Sequence, residues 1–182
     1  MKFEVEQKFP VSDLPALEAR LIALGASISE PVVEVDVYYA HPVRDFAKTD
    51  EALRIRRRAG ASLITYKGPK IDATTKTRRE IELPLAPTEG SAAAWAGLLK
   101  TLSFTEIAEV RKSRRKADLP WQGRRVEVSL DEVPRLGSFV ELELLAESDE
   151  IEAAKACVAS LAAALGLKDS QRRSYLELLL DL

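Results

Sequence analysis

Cysteine occurs once in this sequence, at position 157, and histidine once, at position 41. No disulfide can form within the chain, and no cysteine-rich metal site is available. Cys157 sits in an alanine-rich helical stretch and reads as a small buried apolar group, the usual state of a free thiol. His41, followed by Pro42, reads as a surface turn residue. No apolar run is long enough to cross a bilayer and the N-terminus carries no hydrophobic signal segment, so a cytoplasmic protein is expected. Charge of one sign is missing too: 27 basic residues face 29 acidic ones, a net charge of −2. A broad electrostatic grip on nucleic acid or an anionic membrane is therefore not expected, and any anion site must come from local arrangement of charge. There is no internal repeat and no Pro-, Gly- or Ser-rich linker, and 182 residues fit one domain over 1–182.

Charge itself is abundant, at 31% of residues, and it is patterned. In the opening "FEVEQKF", Phe3, Val5 and Phe9 alternate with Glu4, Glu6 and Lys8, the period of a half-buried strand. Ser12 or Asp13 then caps a helix with Pro15 in its first turn, a stripe of Leu14, Leu17, Leu21 and Leu24, and Gly25 as its stop. Further strands are predicted at 32–39, 52–58, 62–67, 77–84, 107–116, 124–131 and 138–146, with helices at 88–102, 149–165 and in the last residues from Ser174. This mixture predicts an α+β fold: an antiparallel sheet or barrel with helices on its outside.

The alternation returns along the other strands. Arg54 and Arg56 share a face, as do Arg78, Glu80 and Glu82, then Lys112 and Arg114, then Glu127, Ser129 and Asp131, then Glu141 and Glu143, while Lys67 stands opposite Ile64 and Tyr66. A single such face is most simply the wet side of a sheet. The repetition points elsewhere, because nearly every strand sets charge against aliphatics. Carboxylates two residues apart also recur three times, at Glu4/Glu6, Glu80/Glu82 and Glu141/Glu143. Such pairs project the same way and suit shared divalent-metal ligands. Closing the sheet places the charged faces inside, and a dry interior with that many charges would be too costly. A wet bore is expected instead, with carboxylates for a metal and bases for a polyanion.

These segments resemble a known family. "EVEQK" at residues 4–8 fits the ExExK signature of the CYTH superfamily, the triphosphate tunnel metalloenzymes. "DVYYAHPVRDF", "TDEALRIR", "TYKGPK", "KTRREIEL", "LGSFVELE" and "RSYLELL" are similar to its class IV adenylyl cyclase-like and thiamine triphosphatase-like branch. The resemblance implies a closed eight-stranded antiparallel β-barrel with a charged tunnel, flanked by helices, and Mg²⁺ or Mn²⁺ acting on a bound small-molecule triphosphate. Carried over by position, Glu4, Glu6, Asp131, Glu141 and Glu143 resemble the metal-side acids. Lys8, Arg54, Arg56, Lys67, Arg78, Lys112 and Arg114 resemble the triphosphate-binding bases. Glu80 and Glu82 match the middle R-x-E-x-E strand, and Glu127 faces inward by alternation alone.

The general base stays open between Glu4, Glu6 and a Lys8 of lowered pKa, beside water or hydroxyl activation by a second ion. The expected activity is that of a class IV adenylyl cyclase, ATP to cyclic AMP and pyrophosphate. The alternatives are a triphosphatase acting on thiamine triphosphate, tripolyphosphate or nucleoside triphosphates, and a non-catalytic polyphosphate- or nucleotide-binding module. A homodimer is compatible with the branch. Asp36, Tyr38 and Tyr39 fit the family's D-x-Y-[FY] segment, with tunnel contact and packing equally weighted for Asp36 and Tyr38. Trp95 and Trp121 read as packing residues, and Tyr175 as the dock of the last helix. Residues 67–79, rich in bases, read as either a flap over the tunnel mouth or a solvated loop.

Overall fold

The computed structural model describes residues 2–58, 60–72, 75–88 and 90–182. Eight strands close on themselves: β1 (Lys2–Val11), β2 (Val32–Ala40), β3 (Ala52–Arg58), β4 (Ala61–Lys70), β5 (Arg78–Pro84), β6 (Thr105–Trp121), β7 (Arg124–Val133) and β8 (Gly137–Glu147). Around the barrel they run β1-β5-β4-β3-β2-β6-β7-β8, and every neighbouring pair is antiparallel. The predicted strands are all present. β6 runs further than its alternation suggested, to Trp121, because the turn into β7 is only Gln122-Gly123, both at positive φ as a twist-matched two-residue hairpin requires.

Five helices lie outside the barrel: α1 (Leu14–Ala23), α2 (Phe46–Thr49), α3 (Ser91–Thr101), α4 (Ile151–Ala164) and α5 (Tyr175–Leu180). Asp13 caps α1 by accepting a hydrogen bond from the Ala16 amide. Gly166 ends α4 at φ +70°, where Arg20 of α1 donates to the Leu165 carbonyl and a Cβ would lie 3.0 Å from that guanidinium. Among the described residues, no helix is long and apolar enough to cross a membrane.

The main apolar core is external to the barrel. Val5, Phe9, Val126, Val128, Val140 and Leu142 turn outward and bury against Leu17 and Leu21 of α1 and Val158 and Leu161 of α4. A second outer cluster joins Ile55 and Tyr39 to Leu99 of α3, while Val133 and Phe139, on the inward parity of Asp131 and Glu141, meet Tyr175 of α5 inside the barrel. Each outward aliphatic buried there contributes about 1.5–3 kcal/mol. That outward demand on one parity of each strand is what forces the charged parity into the bore.

Candidate active site

The cavity inside the barrel has a volume of about 560 Å³. Glu4, Glu6 and Lys8 of β1, Arg54 and Arg56 of β3, Lys67 of β4 and Arg78, Glu80 and Glu82 of β5 line it. Lys112 and Arg114 of β6, Glu127 of β7 and Glu141 and Glu143 of β8 complete its walls. Asp131 is the one expected site residue set back from the cavity, with no exposure at all.

The walls are cross-paired. Asp36 accepts from Arg56 Nε at 2.6 Å and Nη2 at 2.8 Å, and from Arg54 Nη1 at 3.2 Å. Glu34 stands 3.2 Å from Arg56 and 3.4 Å from Lys112. Arg114 spans Asp131 and Glu141, donating Nε to Asp131 at 2.6 Å and sharing Nη2 between the two carboxylates. Both Asp131 oxygens are thus engaged by one guanidinium, and Tyr175 donates its hydroxyl to the same carboxylate at 2.8 Å. Glu4 accepts from Lys67 at 2.9 Å, which donates also to Glu80, and Glu6 accepts from Lys76 at 2.6 Å. Nearer the rim, Lys116 pairs with Glu127, and Thr65 donates to Glu82.

Charge is unevenly distributed along this network. Burial and then the charge of Glu141 push Glu6 up. Burial and then Glu4 push Glu143 up to about 8. Among the bases, burial and then Lys76 bring Lys8 down to about 7, and burial and then Arg114 bring Lys112 down to about 8. Glu141 goes the other way: burial would raise it, but Arg114 and Lys112 hold it well below the usual carboxylate range. Burial and like charge thus favour the neutral forms of Glu6, Glu143, Lys8 and Lys112, while Lys67 holds Glu4 and Arg114 holds Glu141 ionised.

The cations are not all spent. Among the described residues, Lys8 and Arg78 are buried with no carboxylate within 4.0 Å, and Arg54 Nε is buried without a hydrogen-bond partner. Lys8 instead donates to the Arg173 carbonyl at 2.6 Å, with its ammonium 3.9 Å from the centre of the Tyr175 ring.

A divalent cation fits the chemistry of the acidic side, although no three described acids converge there as a ready-made ligand set. Glu4 is paired with Lys67 and Glu6 with Lys76, and hard carboxylate oxygens are what Mg²⁺ or Mn²⁺ takes. Like-charge crowding has a measurable sign. Glu143 binds its proton more tightly folded, at about 8 against an ordinary 4.5. The Glu143 contribution to the stability of the metal-free protein therefore falls as pH rises from 4.5 through about 8. Glu143→Gln is expected to stabilise it by about 1–3 kcal/mol at pH 9 and to flatten that slope, read by thermal melts across pH. A variant less stable than wild type at pH 9 would remove the like-charge crowding.

Two participants escaped the sequence reading, and Tyr175 makes a contact beyond the docking it was read for. Glu34 shares its parity with Asp36 on β2 and could have been found by extending the alternation one step back. Lys76 stands two residues before Arg78, in the segment read as flap or loop, and lines the cavity; Thr75, Lys76 and Thr77 are buried, as a solvated loop would not be, while Ala73 and Thr74 lie outside the described residues. Tyr175 docks α5 as expected and also reaches the Asp131 carboxylate. Asp36 resolves toward the arginines rather than toward packing. His41 is a turn residue, its Nδ1 accepting from the Val43 and Arg44 amides, and Trp121 packs by α4 with Nε1 donating to Ser160.

Residues 2–175, which span the closed eight-stranded barrel and its ionic walls, match the family model described as CYTH domain; the chain belongs to that family. Among individual relatives, it is 35% identical over 178 residues to a candidate adenylate cyclase of Methanocaldococcus jannaschii, spanning 96% of this chain and 97% of that one. It is 28% identical over 180 residues to the adenylate cyclase CyaB of Aeromonas hydrophila, spanning 96% and 87%. A solved Pyrococcus horikoshii structure superposes with a TM-score of 0.84 at 40% identity, covering 98% of each chain.

Proposed function

We propose that this chain is a divalent-metal-dependent enzyme that converts ATP to cyclic AMP and pyrophosphate, with the triphosphate lying along the bore. The observation that carries the reading is the unspent cationic capacity inside the barrel: Arg78 without a carboxylate and Arg54 Nε without an acceptor. An anion with several oxygens satisfies both, and the names of the two curated relatives favour ATP as its source.

In this reading Arg54, Arg56, Lys67, Arg78, Lys112 and Arg114 bind phosphate oxygens and stabilise charge growing on the departing pyrophosphate, most of what phosphoryl transfer asks of a protein. Glu4, Glu6, Glu141 and Glu143 would hold Mg²⁺ or Mn²⁺, which supplies Lewis-acid polarisation of the phosphate. Asp131 moves from the metal set to positioning, because Arg114 and Tyr175 already engage its oxygens. Lys8, brought to about 7, is the proposed general base: its neutral amine takes the proton of the ribose 3′-hydroxyl as that oxygen attacks the α-phosphorus and the bond to pyrophosphate breaks. Glu80, Glu82 and Glu127 hold Lys67, Thr65 and Lys116 in place.

The experiment is a panel of ATP, thiamine triphosphate and tripolyphosphate with Mg²⁺ or Mn²⁺, with products separated. Cyclic AMP with pyrophosphate from ATP is the expected result. Phosphate release without cyclic product would replace the cyclase by a triphosphatase using water, and binding without turnover of any substrate would leave a binding module. Arg56→Ala is expected to weaken tripolyphosphate binding by about 2 kcal/mol, the loss of a charge-assisted pair, in calorimetric titration. Unchanged affinity would take Arg56 out of the site.

A further inference from the structure

We propose that Lys76 is a built-in counter-cation of the carboxylate wall, holding Glu6 when no divalent ion is bound and turning to the triphosphate when one is. The inference rests on the metal-dependent triphosphate reading above and adds to it a residue and an exchange. Lys76 meets Glu6 twice: its ammonium donates to the Glu6 carboxylate at 2.6 Å and its backbone amide donates to the Glu6 carbonyl at 3.0 Å. The backbone around it is built, since the Ile71 amide donates to the Thr77 carbonyl and Asp72 accepts from the Thr75 amide at 2.8 Å. The hydroxyls of Thr75 and Thr77 are hydrogen-bonded to each other, and both residues are buried.

The ammonium lines the cavity, where its charge acts on both Lys8 and Glu141. A divalent ion at Glu6 would compete with the Lys76 ammonium for the charge of one carboxylate. An ion arriving at Glu6 therefore releases a buried lysine, and the nearest use for a buried cation with a flexible four-carbon stem is an anionic oxygen of the substrate. Lys76 thus opposes metal alone and favours metal together with triphosphate.

The test sets two affinities against each other. Lys76→Gln is expected to bind Mn²⁺ roughly tenfold more tightly in the absence of triphosphate, followed by loss of the free-ion electron paramagnetic resonance signal. The same variant is expected to bind tripolyphosphate roughly tenfold more weakly with Mn²⁺ present and nearly unchanged in chelator, where wild-type Lys76 stays on Glu6, followed by calorimetry. A merely structural lysine would weaken both or neither, and a variant with unchanged or weaker Mn²⁺ binding overturns the proposal. If Lys76→Gln does not fold, Lys76→Arg keeps the charge and is expected to bind Mn²⁺ more weakly than wild type with tripolyphosphate binding retained; equal or tighter Mn²⁺ binding overturns the proposal. Wild-type protein that binds neither probe would remove the triphosphate reading itself, a result distinct from wild type binding both beside an indifferent variant.

Discussion

Replacing Arg114 with alanine is expected to destabilise the protein by about 3–5 kcal/mol in urea denaturation, a large part of the roughly 5–15 kcal/mol available to a domain. The cause is the carboxylate left behind. Asp131 has no exposure, and its remaining neighbours would be the Tyr175 hydroxyl at 2.8 Å and the Lys112 ammonium at 3.6 Å. Glu141 would lose the same guanidinium, the partner that does most to hold it ionised against burial. Pairing the change with Asp131→Asn should recover part of the loss, because the stranded charge goes with it. A loss below about 1 kcal/mol from Arg114→Ala alone would mean that water reaches Asp131 freely.

Lys8 carries the second large effect. Lys8→Met is expected to lower kcat by about 10²–10⁴-fold, the range for a positioned acid–base group. Lys8→Arg separates the two roles open to the residue, since a guanidinium keeps the positive charge and does not release a proton near neutral pH. It should hold KM close to wild type while leaving kcat low. In the wild type, turnover should rise with pH through about 7 as the amine loses its proton, and Lys8→Arg should lack that limb. Wild-type kcat in Lys8→Arg would reduce Lys8 to a phosphate ligand.

Much of this arrangement was legible in the order of residues. Period-two alternation assigned Glu4, Glu6, Lys8, Arg54, Arg56, Lys112 and Arg114 to one surface, and the bore contains them. It did so because the opposite parity is aliphatic and must be covered by α1, α3 and α4. Alternation names a face and not a partner. That Asp131 meets Arg114, or that Lys67 bridges Glu4 and Glu80, depends on register between strands distant in sequence. Lys76 was hidden for a related reason: it lies outside any regular strand, where periodicity has no purchase, and its neighbours 70–77 hold few aliphatics to fix a phase. The four-residue α2 is likewise too short for a helical period, and only its Asp45 cap marks it.

The joint between β1 and β5 differs from the rest of the barrel. Among the described residues, β1 registers with β8 over ten positions and with β5 only at Phe3 and Glu4. Farther along, the free edge of β1 is met by single amides from remote segments, Lys76 on the Glu6 carbonyl and Gln171 on the Lys8 carbonyl. Such a seam is where the wall should first part, so amide hydrogen exchange should be fastest there within the sheet. The ExExK residues lie on that lip, and a bound ion or polyphosphate gripping Glu6 and Lys8 would act as a clasp, slowing exchange along the whole seam.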